Sequence, residues 1–155
     1  MEALELDVLC VGNAAWDVVM EIPHQPGPDE KVEATAALAC GGGPASNAAV
    51  CIGRLGLKAG FAGYISHDIY GQAHLAELRH DDVDVSLVSF GEAPMRVASI
   101  YVKPDGDRSI VHSALGPSPL QLELVEKVPW RAKVVLFDGY EPQLTAAVWR
   151  RLQDL

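Results

Sequence analysis

The stretch Gly41-Gly42-Gly43-Pro44-Ala45-Ser46-Asn47-Ala48-Ala49 decides the fold of this chain, because three glycines run directly into a helix start. Pro44 suits the first turn of that helix, where a missing N–H costs no hydrogen bond. Apolar residues then recur with helical spacing, at Ala45, Ala48, Ala49, Ile52 and Leu55. Gly56 is a residue type that commonly ends a helix. The pattern predicts a helix over residues 44–55.

The same stretch is a candidate binding loop. Glycines without a β-carbon let a ligand approach the backbone, and a helix start directs unpaired N–H groups toward that ligand. The stretch is not a phosphate-binding loop of the Gly-Lys-Ser/Thr type, and it does not match the dinucleotide pattern G-x-G-x-x-G. Taken alone, a glycine triplet before a helix is more often a flexible turn.

Short β-rich runs alternate with helical patterns in the rest of the chain. We predict strands over residues 8–11, 17–22, 32–38, 61–65, 85–88, 97–102, 108–112 and 134–137. We predict further helices over 71–80, over 120–128 and from Pro142 to the chain end at Leu155. An Asp-Gly pair between two of the strands indicates a hairpin. This alternation predicts an α/β fold with a parallel sheet and a smaller β appendage.

Composition limits the function classes. The 155 residues fit one domain. A net charge of −9, from 12 Lys+Arg and 21 Asp+Glu, argues against nucleic acid or an anionic membrane as a partner. The three cysteines and the histidines lack disulfide or metal-site spacing, so we expect no bound metal. An acidic start and the lack of a long apolar run predict a cytoplasmic protein.

Several short motifs occur in an order that is more specific than any one of them. In chain order they are Val11-Gly12-Asn13, Asp17, the glycine stretch, Arg54-Leu55-Gly56, Gly63 with Asp68 and Gly71, and residues 96–102 with Asp105-Gly106-Asp107-Arg108. This order resembles the N-terminal part of the ribokinase-like (phosphofructokinase-B type) carbohydrate kinases. The similarity extends over essentially the whole chain.

The resemblance implies a ribokinase-like three-layer α/β sandwich, with a mainly parallel central sheet and a small β-sheet lid, truncated C-terminally. It makes residues 1–155 the sugar-binding part of a kinase domain, with lid segments near 17–39 and 96–113. The family's catalytic motif, Gly-Ala-Gly-Asp, has no counterpart here, so we expect the nucleotide-binding and catalytic part to be absent. Residues 114–117 also depart from the family's Gly-Ala-Asn, which puts one polar contact at the sugar site in question.

The resemblance assigns five residues to the sugar site. Asp17 matches an aspartate that accepts hydrogen bonds from sugar hydroxyls, and Gly42 and Gly43 match the pair whose backbone borders the sugar. Asn47 matches an asparagine that hydrogen-bonds the sugar. Arg96 stands where the lid begins, and it either meets a phosphate or carboxylate on the substrate or simply flanks the strand. We expect no catalytic, cofactor-binding or metal-binding residue in the chain.

Two other aspartates have structural alternatives. Asp68 is most simply a cap for the second helix. Asp138 follows a buried strand at its carboxyl end, where it either lines the pocket or caps the next turn.

The resemblance implies an ATP- and Mg²⁺-dependent kinase that phosphorylates a hydroxyl of a small sugar or sugar derivative. In that reading this chain supplies the substrate-binding half and the lid, and alone it neither binds the cofactors fully nor turns over. The alternative is a non-catalytic sugar-binding or regulatory module derived from such a kinase. A homodimer formed through the lid is a further expectation.

Overall fold

The computed structural model describes residues 3–114, 116 and 118–153. The strands are β1 (Leu4–Val11), β2 (Ala15–Glu21), β3 (Ala36–Gly42), β4 (Ala59–Ala62), β5 (Tyr64–Ser66), β6 (Ser89–Gly91), β7 (Val97–Val102), β8 (Arg108–His112) and β9 (Trp130–Phe137). The helices are α1 (Pro44–Arg54), α2 (Ile69–His80), α3 (Glu123–Lys127) and α4 (Pro142–Gln153). The expectations that involve Leu115, Pro117 and Leu155 lie outside the described residues.

The central sheet has three parallel strands in the order β4-β1-β9. Its middle strand, β1, pairs Cys10 with Phe61 of β4 on one side and with Leu136 of β9 on the other. The apolar run in β1 is typical of a strand that helices cover on both faces. Because the strands are parallel, their carboxyl ends meet at one edge, where ligand sites of such sheets form.

Helices pack on both faces of this sheet. Successive side chains of a strand point to opposite faces, and β1 follows this rule. Cys10 lies in a core built with α1 and α2, whereas Leu9 and Val11 lie in a core built with α3 and α4. The result is the three-layer α/β arrangement that the motif order implied.

Four strands form the lid sheet, in the order β3-β2-β7-β8. β2 runs antiparallel to β3 and parallel to β7, and the β7–β8 pair forms the predicted hairpin. Directly paired residues share one face of a sheet. Cys40, Asp17, Ala98 and His112 therefore form one row across the lid sheet, with Asp17 near its middle.

The prediction of one strand over 61–65 is only half right. Gly63 separates β4, which belongs to the central sheet, from β5, which pairs with β6 in a separate two-stranded parallel sheet. A β-carbon on Gly63 would lie 2.5 Å from the carbonyl oxygen of Gly12. The chain therefore passes the end of β1 too closely for any residue larger than glycine.

Two strand predictions are displaced. Residues 85–88 form a turn, in which the N–H of Val88 donates to the carbonyl of Val85 at 3.1 Å. Leu87 and Val88 are apolar because they are buried, not because they pair within a sheet. The strand predicted at 32–38 instead begins at Ala36 and continues through Gly42. None of the described helices is long and apolar enough to cross a membrane.

Candidate functional site

A cleft of about 320 Å³ lies between the lid sheet and the carboxyl ends of the central strands. We name it the lid cleft. It is lined by Asn13, Ala15, Asp17, Gly43, Pro44, Arg96, Val97, Ala98, Ile100, Ile110, His112, Ser113, Ala114 and Tyr140. Three of the five residues that the sequence assigns to a sugar site, Asp17, Gly43 and Arg96, therefore line one cleft.

Asp17 stands on β2, paired with Cys40 on one side and Ala98 on the other. Its side chain is half-buried, and this loss of hydration raises the pKa of the Asp17 carboxyl above its ordinary value. Burial is the one cause of that shift, and within the described part of the chain no donor hydrogen-bonds the carboxylate. The oxygens of Asp17 are therefore available to accept hydrogen bonds from a bound molecule.

Gly42 and Gly43 lie beside this carboxylate for different reasons. A β-carbon on Gly42 would overlap the carboxylate of Asp17, so the present position of that carboxylate depends on the glycine. Gly43 has a φ of 102°, which favours glycine, and a β-carbon there would lie 2.5 Å from the carbonyl oxygen of Asn13. The Ser46 hydroxyl donates to the carbonyl of Gly42 at 2.7 Å and fixes the strand against α1.

Asp138 connects three segments at the base of the cleft. Its Oδ2 accepts hydrogen bonds from the N–H groups of Asn13 at 2.8 Å and of Ala45 at 3.2 Å. Its Oδ1 accepts one from the N–H of Tyr140 at 2.9 Å. The N-cap of α1 is Gly43, which makes no side-chain cap, so Asp138 caps this helix from a distant part of the chain. Of the two alternatives for Asp138, the structure supports capping.

Arg96 lines the lid cleft, and its guanidinium already has partners. Nη2 of Arg96 lies 3.3 Å from Oε1 of Glu141 and 3.3 Å from the hydroxyl of Ser118. Ser118 also donates to Oε1 of Glu141 at 2.6 Å. Neither Ser118 nor Glu141 belongs to the site predicted from the sequence. The available signal was the position of Glu141 directly before Pro142, where a helix begins.

Asn47 does not line the lid cleft. It is exposed on α1 and lies in a second depression of about 790 Å³, which we name the side cleft. The side cleft is lined by Leu38, Cys40, Gly41, Asn47, Val50, Arg54, His74, Ala76, Glu77, His80 and Asp81. Cys40 belongs to the same row of the lid sheet as Asp17, so the two clefts lie on neighbouring parts of that sheet.

Helix α2 holds the edge strand of the lid at the side cleft. Oε2 of Glu77 accepts a hydrogen bond from the N–H of Gly41 at 2.6 Å. His74 is buried beneath Gly41, and burial lowers the pKa of its imidazole to about 4. A β-carbon on Gly41 would lie 2.6 Å from Glu77 and 2.7 Å from His74. The end of β3 therefore requires glycine at positions 41 and 42, because a side chain at either position would overlap a neighbouring residue.

The sequence matches the family described as pfkB family carbohydrate kinase over residues 5–154. The chain belongs to this family. The matched region includes every described residue that lines the lid cleft.

Relatives and solved structures agree with this family. The ATP-dependent ribose-1-phosphate kinase of Halopiger xanaduensis is 28% identical over 153 residues, which is 95% of this chain and 50% of that protein. The Arabidopsis thaliana protein named "Probable fructokinase-2" is 31% identical over 101 residues, which is 60% of this chain and 31% of that protein. Arabidopsis thaliana ribokinase, solved with ribose and ATP, has a TM-score of 0.72 at 24% identity over 95% of this chain and 51% of that one.

The pfkB family chain described here thus spans about half the length of the first relative and of that ribokinase, and less of the second relative. The likeness to the ribokinase structure confirms the ribokinase-like α/β fold and its mostly parallel sheet.

Within this family member, Asp68 is the N-cap of α2, as predicted. Its Oδ1 accepts a hydrogen bond from the N–H of Gly71 at 2.8 Å, and its Oδ2 accepts one from the N–H of Met95 at 2.8 Å. Asp68 therefore joins α2 to the residue directly before Arg96.

Proposed function

We propose that this chain forms the acceptor-binding part and the lid of an ATP-dependent carbohydrate kinase, and that its lid cleft holds a small sugar or sugar derivative. In this proposal Asp17 accepts hydrogen bonds from hydroxyl groups of the sugar. The backbone at Gly42 and Gly43 borders the bound molecule, since Gly43 lines the cleft and a β-carbon on Gly42 would overlap the carboxylate of Asp17.

The observation that carries the proposal is the unpartnered carboxylate of Asp17. A half-buried carboxylate usually finds donors within its own protein, since an unpaired polar group away from water costs free energy. Asp17 receives no hydrogen bond from the described residues, and its position in the lid cleft makes its oxygens accessible to donors on a bound molecule. Two vicinal hydroxyls can each donate a hydrogen bond to one of the two carboxylate oxygens.

Asn47 can contact the sugar of the lid cleft only under a further condition. It lines the side cleft, whereas Asp17 lines the lid cleft. A contact between Asn47 and the sugar therefore requires a ligand that extends past Gly42, or a movement of the lid sheet.

ATP and Mg²⁺ do not fit the described residues. When bound in a kinase, ATP supplies the phosphoryl group and the metal stabilises charge on its phosphates. A helix start is a common phosphate site, but the start of α1 already binds the carboxylate of Asp138. We therefore assign no residue of this chain to the nucleotide and place the nucleotide site and the catalytic base outside it.

A non-catalytic sugar-binding module is the second candidate. It is favoured by a lid cleft whose described walls come from residues between Asn13 and Tyr140 of this chain. Turnover separates the two candidates. A homodimer through the lid stays a prediction in both.

Titration of the purified chain with D-ribose and D-fructose, followed by calorimetry, tests the proposal. We expect one of these sugars to bind and Asp17→Asn to weaken that binding about tenfold or more, because a hydrogen bond to a charged group contributes roughly 1.5–3 kcal/mol. Asp82→Asn is the matched control, since Asp82 is exposed after α2 and does not line the cleft.

Unchanged affinity in Asp17→Asn would contradict the proposed site. Adding ATP and Mg²⁺ to the same sample then separates the two functions. Phosphorylation by the chain alone would contradict the placement of the catalytic base outside it, whereas phosphorylation only with a complementary kinase half would favour the kinase over the module.

A further inference from the structure

Arg96, which lines the lid cleft, pairs with a buried acid outside that lining. Among the described residues that line the lid cleft, Arg96 is the only one that is a lysine or an arginine. Its side chain is 27% exposed and pairs with Glu141, whose side chain is only 6% exposed. Nη2 of Arg96 lies 3.3 Å from Oε1 of Glu141, so the positive charge of the guanidinium and the negative charge of the carboxylate offset each other.

We propose that Glu141 is a specificity-determining residue that commits the lid cleft to uncharged acceptors. The proposal rests on the function proposed above and names the substrate class of that same site. Glu141 acts through Arg96: by neutralising the guanidinium, it removes the attraction that a phosphate or carboxylate on the sugar would otherwise find.

The charges around the cleft favour this class of acceptor. Arg96 and Glu141 together contribute no net charge, and Asp17 is the carboxylate without a partner among the described residues that line the lid cleft. An anionic sugar would bring a second negative charge next to Asp17 in a cleft with several apolar walls, where like charges repel strongly. A neutral sugar meets Asp17 only as a hydrogen-bond acceptor.

The acid is held firmly in place. The hydroxyl of Ser118 donates to Oε1 of Glu141 at 2.6 Å, and the carbonyl of Glu141 accepts a hydrogen bond from the N–H of Thr145 at 2.9 Å in α4. Pro142 fixes the helix start immediately after it. Because both its backbone and its side chain are anchored, Glu141 keeps its place beside Arg96.

The test compares the chain's affinity for D-ribose with its affinity for D-ribose 1-phosphate, the acceptor type in the name of the Halopiger relative. We expect the wild type to bind ribose more tightly. Glu141→Gln keeps the shape but frees the charge of Arg96, so we expect the ratio of the two Kd values to shift about tenfold toward the phosphorylated sugar. Glu33→Gln, at an exposed position outside the cleft, is the matched control and should leave the ratio unchanged.

Two further variants keep the test decisive if Glu141→Gln unfolds the chain. Ser118→Ala removes the hydroxyl that contacts both Glu141 and Arg96, and it should shift the same ratio in the same direction by about threefold. In the double variant Arg96→Met with Glu141→Gln, the gain for the phosphorylated sugar should disappear. Tighter binding of ribose 1-phosphate by the wild type, or an unchanged ratio in both Glu141→Gln and Ser118→Ala, would overturn the inference and leave the proposed function standing.

A readout without sugar separates the inference from the proposed function. Inorganic phosphate is titrated into the chain labelled at arginine nitrogens, and the Nε signal of Arg96 is followed by NMR. We expect no movement in the wild type and clear movement in Glu141→Gln. If neither sugar binds the wild type, the proposed function fails, and an Arg96 signal that responds equally in both proteins then overturns the inference as well.

Discussion

Asp17 lines the lid cleft and Asp138 lies at its base, and their carboxylates have opposite surroundings. Asp138 accepts three hydrogen bonds from backbone N–H groups at 2.8, 2.9 and 3.2 Å. Asp17 accepts none from the described residues, and burial raises its pKa. The carboxylate of Asp138 therefore uses its hydrogen-bonding capacity to join the segments at β1, α1 and β9. The carboxylate of Asp17 is positioned by its strand and is available to a ligand. The partners of a carboxylate, more than its place near a cleft, separate a structural acid from a binding one.

The sharpest test of this comparison is the stability of the two alanine variants. Asp138→Ala leaves three backbone donors without their acceptor, and we expect it to lower the free energy of unfolding by about 3 kcal/mol. Asp17→Ala removes no hydrogen bond within the described chain, and we expect a change within about 0.5 kcal/mol. Urea unfolding followed by circular dichroism measures both. Equal losses in the two variants would show that the contrast in hydrogen bonding does not govern stability.

The role of Asp17 is easier to predict from the sequence than the role of Asp138. Asp17 can be assigned to a site because it precedes the glycine stretch at a spacing that resembles a kinase family. The role of Asp138 depends on the N–H of Ala45, which is 93 positions away along the chain. No local pattern encodes that distance, so the sequence leaves pocket lining and turn capping equally open.

Elsewhere in the fold, too, features with a local sequence signal are predicted correctly and features that depend on tertiary contacts are not. The hairpin of β7 and β8 and the start of α1 follow from local turn and helix signals, and both are confirmed. The strand predicted at 85–88 is wrong because burial and strand pairing select the same apolar residues. The pairing of Arg96 with Glu141 and the separation of Asn47 from Asp17 are tertiary facts, so the motif alone groups residues that the structure divides between two clefts.

The second prediction concerns the glycine that makes room for Asp17. In Gly42→Ala the new methyl group overlaps the carboxylate, so we expect a loss of about 2 kcal/mol in stability together with loss of sugar binding. Gly27→Ala is the control, because a β-carbon there would meet only Glu30 at an ordinary 3.4 Å. The double variant Asp17→Ala with Gly42→Ala should regain most of the lost stability, since the overlapping group is gone. A double variant as unstable as Gly42→Ala would mean that the strain arises elsewhere in β3.

The smallest expected effect is the pH dependence of Asp17. Because burial raises its pKa, the folded chain binds this proton more tightly than the unfolded chain does. The resulting stabilisation is fully present below the ordinary pKa of an aspartate and is lost as the pH rises through the raised pKa, so the charged carboxylate costs stability near neutral pH. Asp17→Asn should then exceed the wild type in stability by less than about 1 kcal/mol at about pH 7, because the partly hydrated side chain weakens the effect.

The same difference should vanish near about pH 3, where the wild-type carboxyl is protonated in both the folded and the unfolded chain. Urea unfolding of both proteins at the two pH values measures it. A hidden donor for Asp17 would reverse the sign, because a hydrogen-bonded carboxylate is stabilising when charged and Asp17→Asn would then be less stable at neutral pH. The sign of this small difference therefore tests the feature that distinguishes Asp17 from Asp138, an acid that is positioned by its sheet but has no partner until a ligand binds.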